Sequence, residues 1–292
     1  MSTPYTSASQ HRSPHAATLM PGRFWILVSI VICAKLSAAQ ECPAKHDVGD
    51  MPSAVVFGAT GAIGEEMWRQ LASSGAWSKV TTIGRRAPEG AAAAGGAGAC
   101  VAAAEARPAA VHHVALDLGA LGGPEAAAAL QGADAVFCAL GTTRGDAGSA
   151  EAFKRVDHEY VAAAAEASKK AGARYFGLVS AQGANPRLWA SDLAPFHPLL
   201  YSRTKGLAEE AVKAQAFDAA GIFRPGLLDR GAKARPNERW FLKLVSAVAV
   251  GDVAKVMIAD AERFLSTGAP PGAHTYEMGA IQRAAKAAAA PV

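Results

Sequence analysis

The chain is short of acid at its front and of cysteine throughout. No Asp or Glu precedes Glu41, whereas Ser, Thr, His and Arg recur over the same stretch. Cysteines at 33, 42, 100 and 138 stand far apart, and no CxxC spacing occurs. The adjacent His112 and His113 would point to opposite faces of a strand and so cannot readily share one metal. Neither a structural zinc site nor a disulfide framework is expected, and no metal is assigned. Charged residues make up only 18% of the chain and the formal net charge is +4. So small and unclustered a surplus does not point to nucleic acid. The apolar run from Phe24 to Ala34 meets Lys35 after about eleven residues, whereas a comfortable membrane span needs about 20.

What is present divides at about residue 50. In "RFWILVSIVICAKLSAAQ" a cationic Arg23 precedes that apolar run, and small residues Ser37, Ala38 and Ala39 follow it. The order is that of a secretory signal cleaved near Ala39, or of the front of a bipartite organelle address. A mitochondrial-type or weakly membrane-anchoring leader is a second reading. A disordered extension upstream of a start at Met20 is a third. On any of them residues 1–50 stand outside the fold, and residues 51–292 form a single nucleotide-binding domain.

With 292 residues, 51% of them apolar, the chain can bury a full core. From Pro52 it alternates β-rich and helical runs. Strands are expected at 53–58, 79–84, 111–118, 133–141, 173–180 and 220–226. Helices are expected at 62–75, 123–132, 149–172 and 201–215, with a weakly patterned connection over 88–108. Near-continuous apolar strands imply burial on both faces of a parallel sheet. The fold class is α/β: a Rossmann-like, doubly wound parallel sheet with a small C-terminal substrate lobe.

Gly58, Gly61 and Gly64 form GxxGxxG between the first strand and helix. Glycines there let the backbone approach a pyrophosphate, while the helix N-terminus offers free N–H groups to the anion. About 20 residues on, where NAD-binding chains carry an acid for the ribose hydroxyl, stand Arg85 and Arg86, and guanidinium groups suit a 2′-phosphate. NADP(H) is therefore the expected cofactor. Asp117 and Leu118, ending the third strand, are placed to flank an adenine. "CALGTTRG", with Leu140, Gly141 and Thr142, ends the fourth strand near the nicotinamide half.

In "YSRTK", Tyr201 and Lys205 lie four apart on one helix face, and the fifth strand ends in Ser180. An ammonium beside a phenol favours the phenolate, so Tyr201 could pass a proton to or from a substrate oxygen. Lys205 would activate it and Ser180 would hold the carbonyl. Trp189, Phe196 and His197 are candidates for a substrate lip, with a surface loop as the alternative. Cys138 is read as a small buried hydrophobe. Arg224, Arg230, Lys233, Arg235 and Arg239 are read as a solvated loop that could contact an acidic substrate or a cofactor phosphate. Asp157 and His158 receive no catalytic role.

The motifs "FGATGAIG", "SKVTTIGRR", "FCALGTTRGDAGSAEAFKRVDHEYV", "GLVSAQGAN", "YSRTKGLAEEAV" and "FRPGLLDR" resemble the atypical short-chain dehydrogenases/reductases. The likeness is to the Tat-interacting-protein oxidoreductases and their fungal mitochondrial relatives, over roughly residues 53–288. The resemblance implies NADPH held by Gly58, Thr60, Gly61, Ile63, Gly64, Arg85 and Arg86. It further implies a Ser180–Tyr201–Lys205 site, with Tyr201, Lys205, Arg224 and Pro225 also near the cofactor. Relatives often carry two adjacent serines where this chain has Ser180 and Ala181. The expected activity is NADPH-dependent turnover of a small carbonyl or alcohol. The alternative is a non-enzymatic NADPH-binding regulator or assembly factor with a protein partner. A sugar-nucleotide epimerase is disfavoured, because only about 65 residues follow "FRPG". Membrane association, if any, would run through the N-terminal apolar segment.

Overall fold

The computed structural model describes residues 51–91, 108–191, 197–230 and 247–289. The expected leader and most of the connection over 88–108 lie outside the described residues.

Seven parallel strands form one sheet in the order β3-β2-β1-β4-β5-β6-β9. They are β1 (Ser53–Phe57), β2 (Lys79–Gly84), β3 (Ala110–Ala115), β4 (Ala135–Cys138), β5 (Tyr175–Val179), β6 (Ala219–Arg224) and β9 (Gly272–Glu277). A separate parallel pair, β7 (Leu228–Asp229) and β8 (Val248–Ala249), lies between β6 and the C-terminal helices in the chain. Side chains alternate across the sheet, and both faces are covered. Val55 and Phe57 pack in one core cluster, whereas Ala54 and Val56 pack in the other.

One face is covered by α1 (Ala62–Ser73), α7 (Val250–Thr267) and α8 (Met278–Ala289). In α1, Ile63, Met67 and Leu71 recur every four residues and are buried, which is the stripe an amphipathic helix presents to a sheet. The opposite face is covered by α2 (Pro124–Leu130), α5 (Tyr160–Lys170) and α6 (His197–Ala214). Short helices α3 (Arg144–Ala147) and α4 (Ala150–Lys154) lead into α5 through one π-helical turn, Arg155–Glu159.

The expected strands all form; that over 79–84 keeps its bounds, and the others shift or shorten by a few residues at their ends. The strand expected over 133–141 pairs only from Ala135 to Cys138, and Ala139 to Gly141 belong to the loop that lines the site. The single helix expected over 149–172 is divided by the π turn. Helix α6 begins at His197, four residues before the expected start, so His197 belongs to a helix and not to a surface loop. The C-terminal segment expected as a small lobe holds β7 and β8, with 231–246 outside the described residues. Its remaining elements, α7, β9 and α8, join the main layers, and β9 pairs with β6. Among the described residues no helix is long and apolar enough to cross a membrane.

Candidate active site

The carboxyl ends of β1 to β4 open onto a cleft of about 520 Å³, a size common for small-molecule sites. Its floor is the turn from Gly58 to Gly61. Arg85 and Arg86 line it beyond β2, His113 lines it from within β3, and Asp117 and Leu118 line it beyond β3. Leu140, Gly141 and Thr142 line it beyond β4. Arg155, Val156 and Tyr160, from the π turn and the start of α5, close the far side.

Two glycines make the floor possible. Gly58 has φ +78°, and a Cβ there would sit 2.6 Å from the Ala139 carbonyl oxygen. A Cβ on Gly64 would fall far inside contact distance of the Gly58 carbonyl oxygen. Both obstacles are backbone and cannot swing aside. The Gly61 N–H closes the turn on Gly58 O at 2.9 Å. No side chain caps α1 at its N-terminus, so the N–H groups of its first turn remain for an anion.

Not every residue expected at the cofactor lines this cleft. Ile63 is buried in the core behind the turn and Gly64 packs beneath Gly58, so both shape the floor without lining it. Arg224 and Pro225 lie outside the cleft. The Arg224 guanidinium donates to Glu209 through Nε at 2.8 Å and Nη2 at 2.6 Å, and to Glu277 through Nη1 at 2.7 Å. The hydrogen bonds to Glu209, ahead of the opposing effect of burial, hold its pKa above the usual arginine value. Pro225 is buried, and its carbonyl accepts from the Gln182 N–H at 3.0 Å. Lys233, Arg235, Arg239 and Phe196 lie outside the described residues, as does the side chain of His197, while Trp189 is exposed.

Tyr201 and Lys205, also expected at the cofactor, do not line the cleft either; Lys205 lies against its β4 loop, where a Cβ on Gly141 would sit 3.2 Å from Nζ. The Lys205 side chain is 7% exposed, and its ammonium lies 2.9 Å from Asp157 Oδ1. Burial pulls the lysine pKa down, but Asp157 and then Tyr201 outweigh it and hold the pKa above its ordinary value. Tyr201, 36% exposed, packs its ring 5.9 Å from that of Phe153. The Thr142 N–H donates to Asp157 Oδ2 at 2.8 Å, so one carboxylate joins the cleft loop to the lysine.

Ser180 is brought to the same end of the sheet but into different company. Its hydroxyl donates to Glu209 Oε1 at 2.5 Å, so the proton expected to hold a carbonyl oxygen is directed at a carboxylate. Ser180 and Glu209 are both buried. Cys138 is fully buried in β4, and burial pushes its thiol up to about 11 despite a hydrogen bond from the Leu140 backbone.

Three participants escaped the sequence reading. Asp157 was given no role, yet it lies four residues from both Phe153 and Val161 on a buried face, and a charge within an apolar stripe is itself a signal. Glu209 continues the four-residue step from Tyr201 through Lys205. His113 lines the cleft and meets the Thr82 hydroxyl at 3.0 Å through Nδ1. Nothing in its neighbourhood in the sequence distinguishes it from His112.

The strand order and the glycine-floored cleft at the strand ends define a nucleotide-binding α/β protein of the Rossmann-like class. The chain belongs to the NAD(P)H-binding family, whose model matches residues 58–263. It is 35% identical over 188 residues to Protein HTATIP2 of Rattus norvegicus, covering 64% of this chain and 67% of that one. It is 32% identical over 228 residues to the mitochondrial protein FMP52 of Lodderomyces elongisporus, covering 73% and 88%. Among solved structures, a putative NAD-dependent epimerase/dehydratase from Bacillus halodurans superposes with a TM-score of 0.54 at 18% identity, covering 80% of this chain and 99% of that one. MoeE5 in complex with UDP-glucose and NAD gives 0.55 at 18% identity, covering 77% and 75%. At such identities the likeness is one of fold.

Proposed function

We propose that this chain is an NADP(H)-dependent oxidoreductase of a small carbonyl or alcohol substrate. The observation that carries the reading is the sharing of one cleft by the Gly58–Gly61 turn and by Arg85 and Arg86. The cradle fits a dinucleotide: its floor has no room for Cβ atoms at 58 and 64, and the α1 N-terminus is uncapped. The turn would hold the pyrophosphate, Asp117 and Leu118 the adenine side, and Arg85 and Arg86 the 2′-phosphate. When bound, NADP(H) supplies or accepts the hydride.

The chain's own part is the proton. Tyr201 gives a proton to the substrate oxygen, or takes one in the reverse direction, and the adjacent ammonium of Lys205 stabilises the phenolate that results. Asp157 keeps Lys205 charged despite its burial.

A second reading has an observation of its own. The commitment of the Ser180 proton to Glu209 favours a protein that binds NADPH as a ligand and presents a surface to a protein partner. For residues 1–50 we favour an organelle address, supported by the naming of fungal relatives as mitochondrial. N-terminal sequencing of the native protein tests this, since an intact Met1 rules out cleavage.

The deciding experiment titrates the full chain with NADPH and NADH, then assays carbonyl substrates on the same sample. The double variant Arg85→Ala/Arg86→Ala is expected to lose NADPH affinity by tenfold or more and to spare NADH. Equal losses for both nucleotides would refute the phosphate assignment. Turnover abolished in Tyr201→Phe with binding intact supports the enzyme. Tight binding with no turnover by the unaltered chain supports the regulator.

A further inference from the structure

Within "LGTTRG", Leu140, Gly141 and Thr142 line the nucleotide cleft, and Arg144 follows them as the first residue of α3. Its guanidinium is an unmet cation. Nε is buried and has no hydrogen-bond partner, although the residue as a whole is only half-buried. Among the described residues no acid forms an ion pair with it. The acid nearest in sequence, Asp146, accepts instead from the Thr143 hydroxyl at 2.8 Å. Arg224, by contrast, is met by both Glu209 and Glu277. A desolvated N–H left without an acceptor costs stability, and a guanidinium at a cleft wall recovers that cost when an anion meets it.

Helix α3 borders two places at once. Asp146 and Ala147 line the cleft, and Ala147 also packs against the small cluster of Ala150, Phe153 and Leu200. The Tyr201 ring lies against Phe153 of that cluster, and Lys205 lies against Gly141 of the preceding loop. Arg144 therefore belongs to the wall between the cleft and the Tyr201–Lys205 pair. In the oxidoreductase reading the cofactor's phosphates are met elsewhere, by the Gly58–Gly61 turn and by Arg85 and Arg86 beyond β1 and β2. We propose that Arg144 binds an anionic group of the substrate, so that the substrates are small carbonyl compounds, or the corresponding alcohols, that carry a carboxylate or a phosphate. The assignment of this anion to a substrate rests on the oxidoreductase reading. A guanidinium suits either group, because its planar fork matches paired oxygens. By holding one end of a short molecule it orients the carbonyl at the other end toward Tyr201.

The test uses the full chain with NADPH bound, and calorimetry with oxalate and inorganic phosphate as probes. The unaltered complex is expected to bind at least one of them. Arg144→Gln should weaken that binding by about tenfold to a hundredfold and leave NADPH affinity unchanged. Because Arg144 gives up no internal bond, the variant should melt within about 2 °C of the parent. A larger fall reveals a structural partner and overturns the proposal. A loss of NADPH affinity as large as that of the probe also overturns it, because the anion is then the cofactor's own phosphate. In turnover, an α-keto acid should lose about tenfold or more in kcat/KM through Arg144→Gln, and its methyl ester much less. Equal losses, or no binding of either probe, overturn the proposal. If the unaltered chain reduces neither compound, the oxidoreductase reading falls, while probe binding that is lost in Arg144→Gln still assigns an anion site to Arg144.

Discussion

Replacing Glu209 by alanine is the perturbation to which the buried network should respond most. Glu209 is 1% exposed and accepts from Ser180 Oγ and from Arg224 Nε and Nη2. Removing one partner of a buried ion pair typically costs about 3–5 kcal/mol. The Arg224 side chain is 20% exposed and keeps Glu277 at 2.7 Å, so its guanidinium is partly rehydrated and the loss falls below that range, at about 2 kcal/mol. Stranding the Ser180 hydroxyl adds about 1 kcal/mol. The sum, about 3 kcal/mol, corresponds to roughly 6–12 °C in Tm for a domain of this size. Ser180→Ala removes only the last contribution and should lower Tm by about 2–4 °C. Thermal melts of the full chain followed by circular dichroism read both variants. A Glu209→Ala protein melting within about 2 °C of the parent would refute a stabilising role for the Ser180–Glu209–Arg224 network.

Gly64→Ala places a methyl group against the Gly58 carbonyl oxygen, so the turn must open, at about 1–3 kcal/mol. Dinucleotide affinity measured by calorimetry should fall by tenfold or more, and unchanged binding would show that the turn does not cradle the nucleotide. Glu262 accepts from Trp77 Nε1 at 2.8 Å, and burial, opposed by that hydrogen bond, raises its pKa above the ordinary glutamate value. Because the folded-state pKa is raised, the ionised form is penalised above it and the penalty disappears as pH falls. Glu262→Gln keeps an acceptor for Trp77 and sheds the charge. At pH 7 it should be as stable as the parent or more so, by up to about 1 kcal/mol, with the difference vanishing below pH 4. A variant clearly less stable at pH 7 would contradict this.

The fold was legible where one face or both faces of an element carry an apolar pattern. The strand expected over 79–84 forms over those residues because every side chain from Val80 to Ile83 is buried. Strand β9 left no such trace. Its sequence, GAHTYE, has no buried residue, and only pairing with β6 makes it a strand. Helix α6 starts at His197 with Pro198 in its first turn, where a proline costs the helix no hydrogen bond, and the weak apolar pattern there hid that start from the sequence.

By itself the sequence determined the glycine turn, the arginine pair after β2 and the four-residue step from Tyr201 to Lys205. Each depends on residue type and short-range spacing, which the chain states directly. Tertiary structure alone decided which charges neutralise one another. Asp157 reaches Lys205 across 48 positions, and Ser180 reaches Glu209 across 29. Such partners are chosen when helices pack on a sheet, because burial of a charge is tolerated only where an opposite charge or a donor meets it. No local pattern encodes that meeting, and it determines which of the expected site residues are free to act.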